Sequence, residues 1–319
     1  MGYSEMRKLF DPIWDDVDEG IPHLLAHYTS LSALESIVKN NEVWFSNPLL
    51  MNDHEEVLFG LQAGIQQFNQ NKEFQGEFGS PRRYRLFRDA WDEVTQVYAE
   101  NILFDTYVFC LTEHDMENED GLLSMWRGYG GNGNGVALIF DASSLTVIDN
   151  SPLVSGRVMY ATTEQRIEWI KNLVLYAASI FSTNQIDDSD IASTAGIIFE
   201  RLKLFSLYTK HNGFSEEREW RIVYLPDRDI GNKLTPMLHY HNGPRGIEPK
   251  LKLKVRPIEG VTPPEVNLDE LVYSILLGPS VSSAIAGASV VRMLNIMGRP
   301  RLAERVRSSG IPLRQMSPG

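Results

Sequence analysis

The sequence lacks the features that mark disulfide-bonded, secreted and membrane proteins. Its 319 residues include one cysteine, Cys110, so no disulfide can form within the chain, and this fits a reducing compartment. No run of about 20 apolar residues is present that would span a membrane. The N-terminal residues also lack the apolar core and cleavage site of a secretory signal. These absences predict a cytoplasmic protein with no membrane partner.

Positive charge is scarce as well. Aspartate and glutamate, 42 in all, outnumber the 30 lysines and arginines, and the net charge is −12. General affinity for duplex nucleic acid is therefore disfavoured, because it depends on clustered cations. Two arginine-rich segments, 82–88 and 299–307, are local exceptions. We interpret them as solvated helix faces, with a polyanion-binding rim as the alternative.

The pattern of apolar residues predicts helices and strands that do not alternate regularly along the chain. Strands dominate after residue 218, and the last strand candidate is 311–314. A mixed α+β fold is therefore favoured over a doubly wound parallel sheet. We expect a single α+β domain over 1–319, with one helical insertion around 55–102 and another around 163–212. The sequence does not indicate an oligomeric state.

The glycine-rich run GYGGNGNG, residues 128–135, lacks the context of a phosphate-binding loop. Such a loop needs a strand before the glycines and a helix after them, so that the phosphate lies at the helix N-terminus. In this chain a short helix is predicted before the run, and the strand VALIFD follows it. We therefore predict a connecting turn.

No segment has the spacing of a strong metal site. His23 and His27 are four residues apart, His239 and His241 could share one strand face, and the segment 52–56 is rich in oxygen ligands. Solvated strand ends or a helix N-terminus explain each of these sets equally well. We therefore expect no metal.

A cluster of hydrogen-bonding groups follows the first apolar strand. His27, Tyr28 and Thr29 place an imidazole, a phenol and a hydroxyl at one strand end. They fit either a satisfied structural histidine or contacts to a ligand that carries ribose and an aromatic base.

A second polar set lies late in the chain. Glu217, Glu219 and Arg221 would share one strand face, and the alternating positions supply an apolar opposite face. This pattern fits a surface ion-pair ladder or a buried catalytic face, and the apolar partner face favours the second. Trp126 and Arg127 precede the glycine run, either as a core ring with a solvated cation or as a clamp on a ligand.

Several separated segments together resemble the bacterial family called "domain of unknown function 2971". The resemblance runs from about 24 to 314, and its segments are HYTSL…IVKNNEVWFSNPLLMND, VFCLTEH, MWRGYGGNGNGVALIFD, EEREWRIVY, LLGP and SSGIPLR. The family name implies no established activity.

A more distant resemblance is to ADP-ribosyltransferases of the His-Tyr-Glu type. His27 matches their first-strand histidine, which contacts the NAD ribose, and Glu219 matches their catalytic glutamate. Their tyrosine-bearing strand corresponds to Val43–Ser46, with Trp44 and Phe45 as its aromatic residues. The resemblance implies a mixed or antiparallel split sheet with flanking helices.

The same resemblance implies an enzyme that consumes NAD as its substrate, either an ADP-ribosyltransferase or an NAD glycohydrolase. Glu219 would stabilise the oxocarbenium-like transition state, and Glu217 or the turn at 52–53 would orient the acceptor, which could be a protein, nucleic acid or water. The implied catalytic residues are Glu219 and Glu217. The implied cofactor-binding residues are His27, Tyr28, Thr29, Trp44, Phe45, Ser46, Asn52, Asp53, Trp126, Arg127 and Arg221. Family resemblance alone suggests a role in toxin action or in bacterial defence, including phage defence.

Two other functions remain open at this point. A metal-dependent nuclease or hydrolase would use Asp53, Glu55 or Glu56 with His54, and would hold the phosphate backbone with the arginines of 82–88. A Glu-Pro-Lys triplet at 248–250 offers it a further acid, although its proline makes a poor catalytic strand. The second alternative is a non-catalytic binding or regulatory module.

Overall fold

The computed structural model describes residues 22–51, 54–145, 147–148, 150–183, 186–243 and 246–313, without the side chains of 54–56 and 101. Twelve strands lie within these ranges. They are β1 (Leu24–Thr29), β2 (Glu42–Ser46), β3 (Tyr107–His114), β4 (Val136–Asp141), β5 (Leu153–Arg157), β6 (Met159–Ala161), β7 (Thr209–His211), β8 (Glu219–Tyr224), β9 (Leu238–Gly243), β10 (Gly246–Lys254), β11 (Val272–Leu277) and β12 (Val306–Ser308).

The helices lie mainly between β2 and β3 and between β6 and β7. In chain order they are α1 (Leu31–Asn40), α2 (His54–Gln70), α3 (Lys72–Gly76), α4 (Pro81–Val97), α5 (Leu123–Gly128), α6 (Thr163–Ser182), α7 (Ile191–Tyr208), α8 (Leu268–Leu271), α9 (Ala284–Ile296) and α10 (Pro300–Glu304). None of these helices is long and apolar enough to cross a membrane.

The described chain divides into two compact units. The helical unit comprises Pro48–Thr106 and Val158–Phe214, and the sheet unit comprises the rest of the described residues. Aromatic rings fill the interior of the helical unit, where Phe78 and Phe181 stack with centroids 4.2 Å apart. The short strands β6 and β7 pair in parallel in this unit.

The sheet unit is built on one branched sheet. Its strands follow the order β12-β11-β4-β1-β3-β2-β10-β9, and β8 and β5 extend it from the other edge of β3. Within this sheet β12 runs parallel to β11, and the other pairs are antiparallel. The predicted α+β fold with a mixed, split sheet is thus confirmed at this level.

The sheet branches along one edge of β3. β1 pairs with β3 only through Leu24–Ala26, opposite 112–114, and β2 pairs with β3 through Ser46 and Val108. Both strands therefore diverge from β3 between these points. We call the opening between 27–29 of β1 and 42–45 of β2 the split, and 109–111 of β3 form its floor.

The two faces of the sheet differ in what they bury. Alternate residues build a large apolar core on the first face, where Leu25, Phe45, Phe109, Phe140 and Ile222 lie. The second face carries Ala26, Tyr28 and Trp126 in a smaller cluster. By register, the polar positions of β8, β2 and β10 also belong to this second face.

The predicted strand at 311–314 is wrong in its position. Residues 311–313 are irregular, and Arg314 lies outside the described residues. The strand that ends the sheet is β12, which pairs in parallel with β11. The Ile-Pro sequence at 311–312 explains the difference, because proline has no backbone N–H to donate to a sheet ladder.

Candidate functional site

His27 lies at the point where β1 leaves β3. Its Nδ1 is 2.9 Å from the carbonyl oxygen of Cys110, on the floor of the split, and its ring centroid is 4.5 Å from that of Phe109. A carbonyl only accepts hydrogen bonds, so Nδ1 carries the proton and donates it. Burial disfavours the charged ring and lowers the pKa of His27 to about 4, with a smaller contribution in the same direction from Lys250. At neutral pH the ring is therefore neutral, and Nε2 presents a lone pair as an acceptor.

A buried polar chain lies on the neighbouring strands of the split. Ser46 is paired with Lys250 in the register of β2 and β10, and Lys250 Nζ donates to Ser46 Oγ at 2.8 Å. Nζ also lies 3.0 Å from Glu248 Oε2, and Glu248 and Lys250 are only 7% and 8% exposed. We call Ser46, Glu248 and Lys250 the Glu248 cluster. By register the cluster lies on the second face of the sheet, whereas His27 lies on the first.

Trp44 extends the same face of β2. Lys252 Nζ lies 4.5 Å from its ring centroid, and the His241 ring lies 5.0 Å away. Its indole N–H donates to Glu42 at 2.8 Å, which fixes the ring orientation. Trp44 is thus a partly buried ring with a cation and an imidazole close to it. Phe45 points to the first face, where it is buried in the core.

Tyr28 and Trp126 form a supporting contact on the second face. Their rings meet edge to face, with centroids 4.8 Å apart. The Tyr28 hydroxyl accepts a hydrogen bond from the Leu122 N–H at 2.9 Å, and the Trp126 indole N–H donates to the Asp120 carbonyl. Burial raises the pKa of Tyr28. Both rings are buried and hydrogen-bonded within the protein, whereas Arg127 is exposed.

Glu219 and Arg221 form a closed ion pair on β8. Arg221 Nε lies 2.8 Å from Oε1 of Glu219, and Nη2 lies 3.0 Å from Oε2. The two residues are only 4% and 2% exposed. They pair with Thr112 and Cys110, which places them on the second face, on the edge of β3 away from β1 and β2.

The register separates His27 from Glu219. His27 pairs with Leu138 and so shares the first face with Leu25, whereas Glu219 is on the second face. Glu217 precedes β8 and accepts a hydrogen bond from the Tyr129 hydroxyl at 2.9 Å.

The described structure thus groups the sequence-predicted residues around two places. The ends of β1 and β2 bring the first group to the split, and this group consists of His27, Tyr28, Thr29, Trp44, Phe45 and Ser46. Glu217, Glu219 and Arg221 lie at the start of β8, across β3 from the split. Asn52 and Asp53 lie outside the described residues, as do the side chains of 54–56. Among the residues that are described, no three histidine, cysteine or acidic side chains could together hold a metal ion.

Glu248 and Lys250 belong to the Glu-Pro-Lys triplet that the sequence offered as an alternative and disfavoured because of its proline. In the structure Pro249 lies within the nine-residue strand β10. β10 pairs with β2 only from Lys250 onward, so the β2 side of β10 carries no ladder at Pro249, and a residue without an N–H is tolerated there. The alternation of charged residues at 248, 250, 252 and 254 was the signal for a polar strand face.

Comparison with known proteins gives one match. The model of the family described as "Protein of unknown function (DUF2971)" matches residues 125–222. The resemblance to the DUF2971 family, expected over about 24–314, is confirmed over these matched residues. The DUF2971 match runs from α5 to β8 and so includes Trp126, Arg127, Glu217, Glu219 and Arg221. It does not include the residues of β1 and β2 that border the split. No curated protein and no solved structure matches the chain.

Proposed function

We propose that the sheet unit binds NAD in the split and consumes it, as an ADP-ribosyltransferase or an NAD glycohydrolase. The fold would then be a split sheet of the ADP-ribosyltransferase type. One observation carries the proposal: His27, Thr29, Trp44 and Ser46, four of the residues that the resemblance expects to touch NAD, lie on β1 and β2 where the sheet opens. A neutral imidazole hydrogen-bonded to the floor lies at that opening.

The state of His27 supports binding of a hydroxyl-bearing ligand. Its Nδ1 proton is used by the Cys110 carbonyl, and the low pKa leaves Nε2 unprotonated near neutral pH. Nε2 can therefore accept a hydrogen bond from a ribose hydroxyl, which is a good donor. Since the ring position is fixed by the Cys110 bond and the Phe109 contact, little entropy is lost when the ligand binds.

Trp44 supports binding of an aromatic group. Its indole N–H is held by Glu42 and its ring lies beside Lys252. An indole that is already oriented loses little freedom on stacking with nicotinamide or adenine. The cations at 250 and 252 would lie near the pyrophosphate in such a complex, where their charge is favourable.

The resemblance gives the transition-state carboxylate to Glu219, with Glu217 beside it. Glu219 would accept a hydrogen bond from the 2′-hydroxyl of the nicotinamide ribose and stabilise the positive charge that develops as nicotinamide leaves. Both of its oxygens accept hydrogen bonds from Arg221, which fixes the position of the carboxylate. The acceptor that follows nicotinamide would be water, a protein or nucleic acid.

The experiment is to incubate the purified chain with NAD and to measure nicotinamide release by chromatography. In parallel, thermal unfolding is recorded with NAD and with ADP-ribose, because a ligand of the folded state raises the unfolding temperature by mass action. We expect the wild-type chain to release nicotinamide and to unfold at a higher temperature with ligand. We expect His27→Ala to lose both the nicotinamide release and the rise in unfolding temperature. His23→Ala is the matched control, since His23 is exposed and lies just before β1. A wild-type chain that neither binds nor cleaves NAD would end the proposal.

A further inference from the structure

We infer that β9 is a binding edge for a partner protein, which adds an extended acidic segment to the sheet as a further strand. The partner is identified by its chemistry: a stretch of about six residues or more in which acidic side chains occupy alternate positions. This inference goes beyond the proposed reaction with NAD and does not depend on it.

The hydrogen-bond register of β10 shows which side of β9 is open. Val255, the residue after β10, donates its N–H to the carbonyl of Asn41 at 2.9 Å, on the side of β2. Backbone groups alternate between the two sides of a strand, so the odd-numbered residues of β10 face β2 and the even-numbered residues face β9. Pro249 fits this pattern, because its missing N–H would face β2. The even-numbered residues of β10 therefore bond to the odd-numbered residues of β9, with which they pair.

The even-numbered residues of β9 present their backbone groups to the outer edge of the sheet. Tyr240 and Asn242 pair with Pro249 and Ile247 at the non-hydrogen-bonded positions of this ladder, so their N–H and C=O groups point away from β10. Among the strands that the structure describes, β9 is the last in the sheet order on this side. An added strand would bond to these groups through the same kind of ladder that joins β9 to β10.

β9 lacks the features that normally prevent pairing at a sheet edge. Such edges are kept very short, or they carry charged residues or proline. At the other described edges, β12 has only three residues and includes Arg307, and β5 ends in Gly156 and Arg157. The six residues of β9, LHYHNG, include no lysine, arginine, acid or proline. The Tyr240 side chain is 66% exposed, so this edge also offers an aromatic surface to a neighbouring strand.

The charge of the surrounding face favours an acidic partner. His239 and His241 lie on the second face, beside β10, which has three lysines and one glutamate at alternate positions of the same face. The Trp44 ring lies close to both strands, with Lys252 Nζ 4.5 Å and the His241 ring 5.0 Å from its centroid. Acidic side chains on this face of an added strand would therefore meet imidazoles on β9 and an excess of lysines behind them.

A second copy of the chain fits this edge less well. Two β9 strands related by a two-fold axis would form one continuous sheet, with the second faces of both copies on the same side. Pairing about Tyr240 would set His239 of each copy against His241 of the other, with the lysines of both β10 strands behind them. Like charges on neighbouring strands destabilise a sheet, and each copy has a net charge of −12.

The test measures the binding of two labelled synthetic peptides to the full chain by fluorescence anisotropy. Both peptides are about eight residues long, and one alternates valine with glutamate whereas the other alternates valine with lysine. We expect the valine–glutamate peptide to bind at least about tenfold more tightly, because like charges oppose the other peptide. Amide hydrogen exchange locates the peptide: exchange at Tyr240 and Asn242 should slow in the complex, and exchange in β5 and β12 should not change.

Tyr240→Pro tests the backbone contact. The substitution removes an N–H that points to the outer edge and takes no part in the ladder between β9 and β10. Tyr240→Thr is the matched control, because it removes the ring but keeps the N–H. We expect Tyr240→Pro to bind the valine–glutamate peptide at least about tenfold more weakly than Tyr240→Thr. Unfolding temperatures show whether each variant folds, and Asn242→Pro repeats the test at the next outward position if Tyr240→Pro does not.

The outcomes decide both the edge and its occupant. Tighter binding of the acidic peptide, with slowed exchange in β9 and weaker binding by the proline variant, supports the inference. It fails if the full chain binds neither peptide, if it binds the lysine peptide as tightly, or if the proline and threonine variants bind equally. Sedimentation of the wild type tests the other occupant, and a dimer that Tyr240→Pro dissociates would assign the edge to a second copy instead. None of these measurements uses NAD, so their results are separate from those on nicotinamide release.

Discussion

At the scale of single residues, His27 has the most unusual chemistry in the sheet unit. A histidine at the end of an apolar strand could be a satisfied core residue or a ligand contact, and the structure contains elements of both. One ring nitrogen is used within the protein, since Nδ1 donates to Cys110, and the other remains an acceptor. The bond to Cys110 exists because β1 leaves β3 at this point and the paired residues of β1 end at Ala26.

The low pKa of His27 predicts how stability depends on pH. Its pKa is about 4 in the folded protein and near 6.5 in the unfolded chain, so the unfolded chain binds more protons between these values. The contribution of His27 to the free energy of unfolding is therefore complete above about pH 6.5 and is lost as the pH falls toward 4. Between pH 7 and pH 5 we expect His27 to account for roughly 1–2 kcal/mol of the loss in unfolding free energy.

Urea denaturation at pH 7 and pH 5 measures this contribution. His27→Gln keeps a donor for the Cys110 carbonyl but does not titrate. The difference between the unfolding free energies at pH 7 and pH 5 should therefore be smaller in this variant than in the wild type. The pH dependence that remains in His27→Gln includes a contribution from His114, whose pKa is also lowered by burial. His23→Gln should behave as the wild type, because His23 is exposed. If the unfolding free energy of His27→Gln changed with pH as much as that of the wild type, the neutral state assigned to the His27 ring would be wrong.

At the scale of elements, local patterns predict helices and strands well but helix starts less well. The Thr-x-x-Gln spacing at Thr162 and Gln165 predicts a capping box, and both of its hydrogen bonds are present. Ser32 and Glu35 have a similar spacing, yet α1 is capped by Ser30. Ser30 has extended backbone angles and its hydroxyl accepts from the Ala33 N–H, so the helix begins at Leu31 as predicted but its cap lies two residues before Ser32.

The glycine run is a connecting turn that packs closely against β1, as the order of elements predicts. A Cβ atom added to Gly135 would lie 2.3 Å from the Thr29 carbonyl oxygen and 2.7 Å from that of Gly130. Both obstacles are backbone atoms, so a side chain there would push β4 away from the end of β1.

We therefore expect Gly135→Ala to lower the free energy of unfolding by more than about 2 kcal/mol. Gly128→Ala is the control from the same run, because nothing lies within 4 Å of its added Cβ and Gly128 is in α5. The Gly128→Ala variant should have an unchanged or slightly higher free energy of unfolding, since alanine has the higher helix propensity. Urea denaturation of the two variants checks the difference, and equal stabilities would show that the turn is not closely packed.

At the scale of the whole molecule, the sequence predicted the α+β class and some of the polar groups around the split. The polar ends of β1 and β2 were visible because hydrogen-bonding residues follow short apolar strands. The Glu248 cluster was not visible in the sequence, because it depends on pairing between Ser46 and Lys250, which are 204 residues apart. No local pattern reveals such a pairing, and the rule that proline weakens strands directed attention away from β10.

The charge of the whole chain predicts weak binding to nucleic acid. Its net charge is −12, and carboxylates already engage arginines of both basic segments. These ion pairs are Arg82–Asp188, Arg88–Asp92, Arg299–Asp269 and Arg301–Glu270. The paired carboxylates offset positive charge that would otherwise release counterions from a duplex.

We expect no retardation of a 30-base-pair DNA or RNA duplex at about 10 μM protein in physiological salt. An electrophoretic mobility assay measures this directly, with a basic DNA-binding protein as the positive control. A band shift that disappears in Arg82→Ala or in Arg301→Ala would contradict this expectation and identify the segment responsible.

The single thiol of the chain offers a spectroscopic view of the split. Cys110 is partly buried rather than fully enclosed, and it lies on the strand whose carbonyl binds His27. A fluorine-bearing tag attached to this sulfur would occupy one unique position, since the chain has one cysteine to modify. Its resonance would then report directly on whether a nucleotide enters the neighbouring opening, before any turnover is measured.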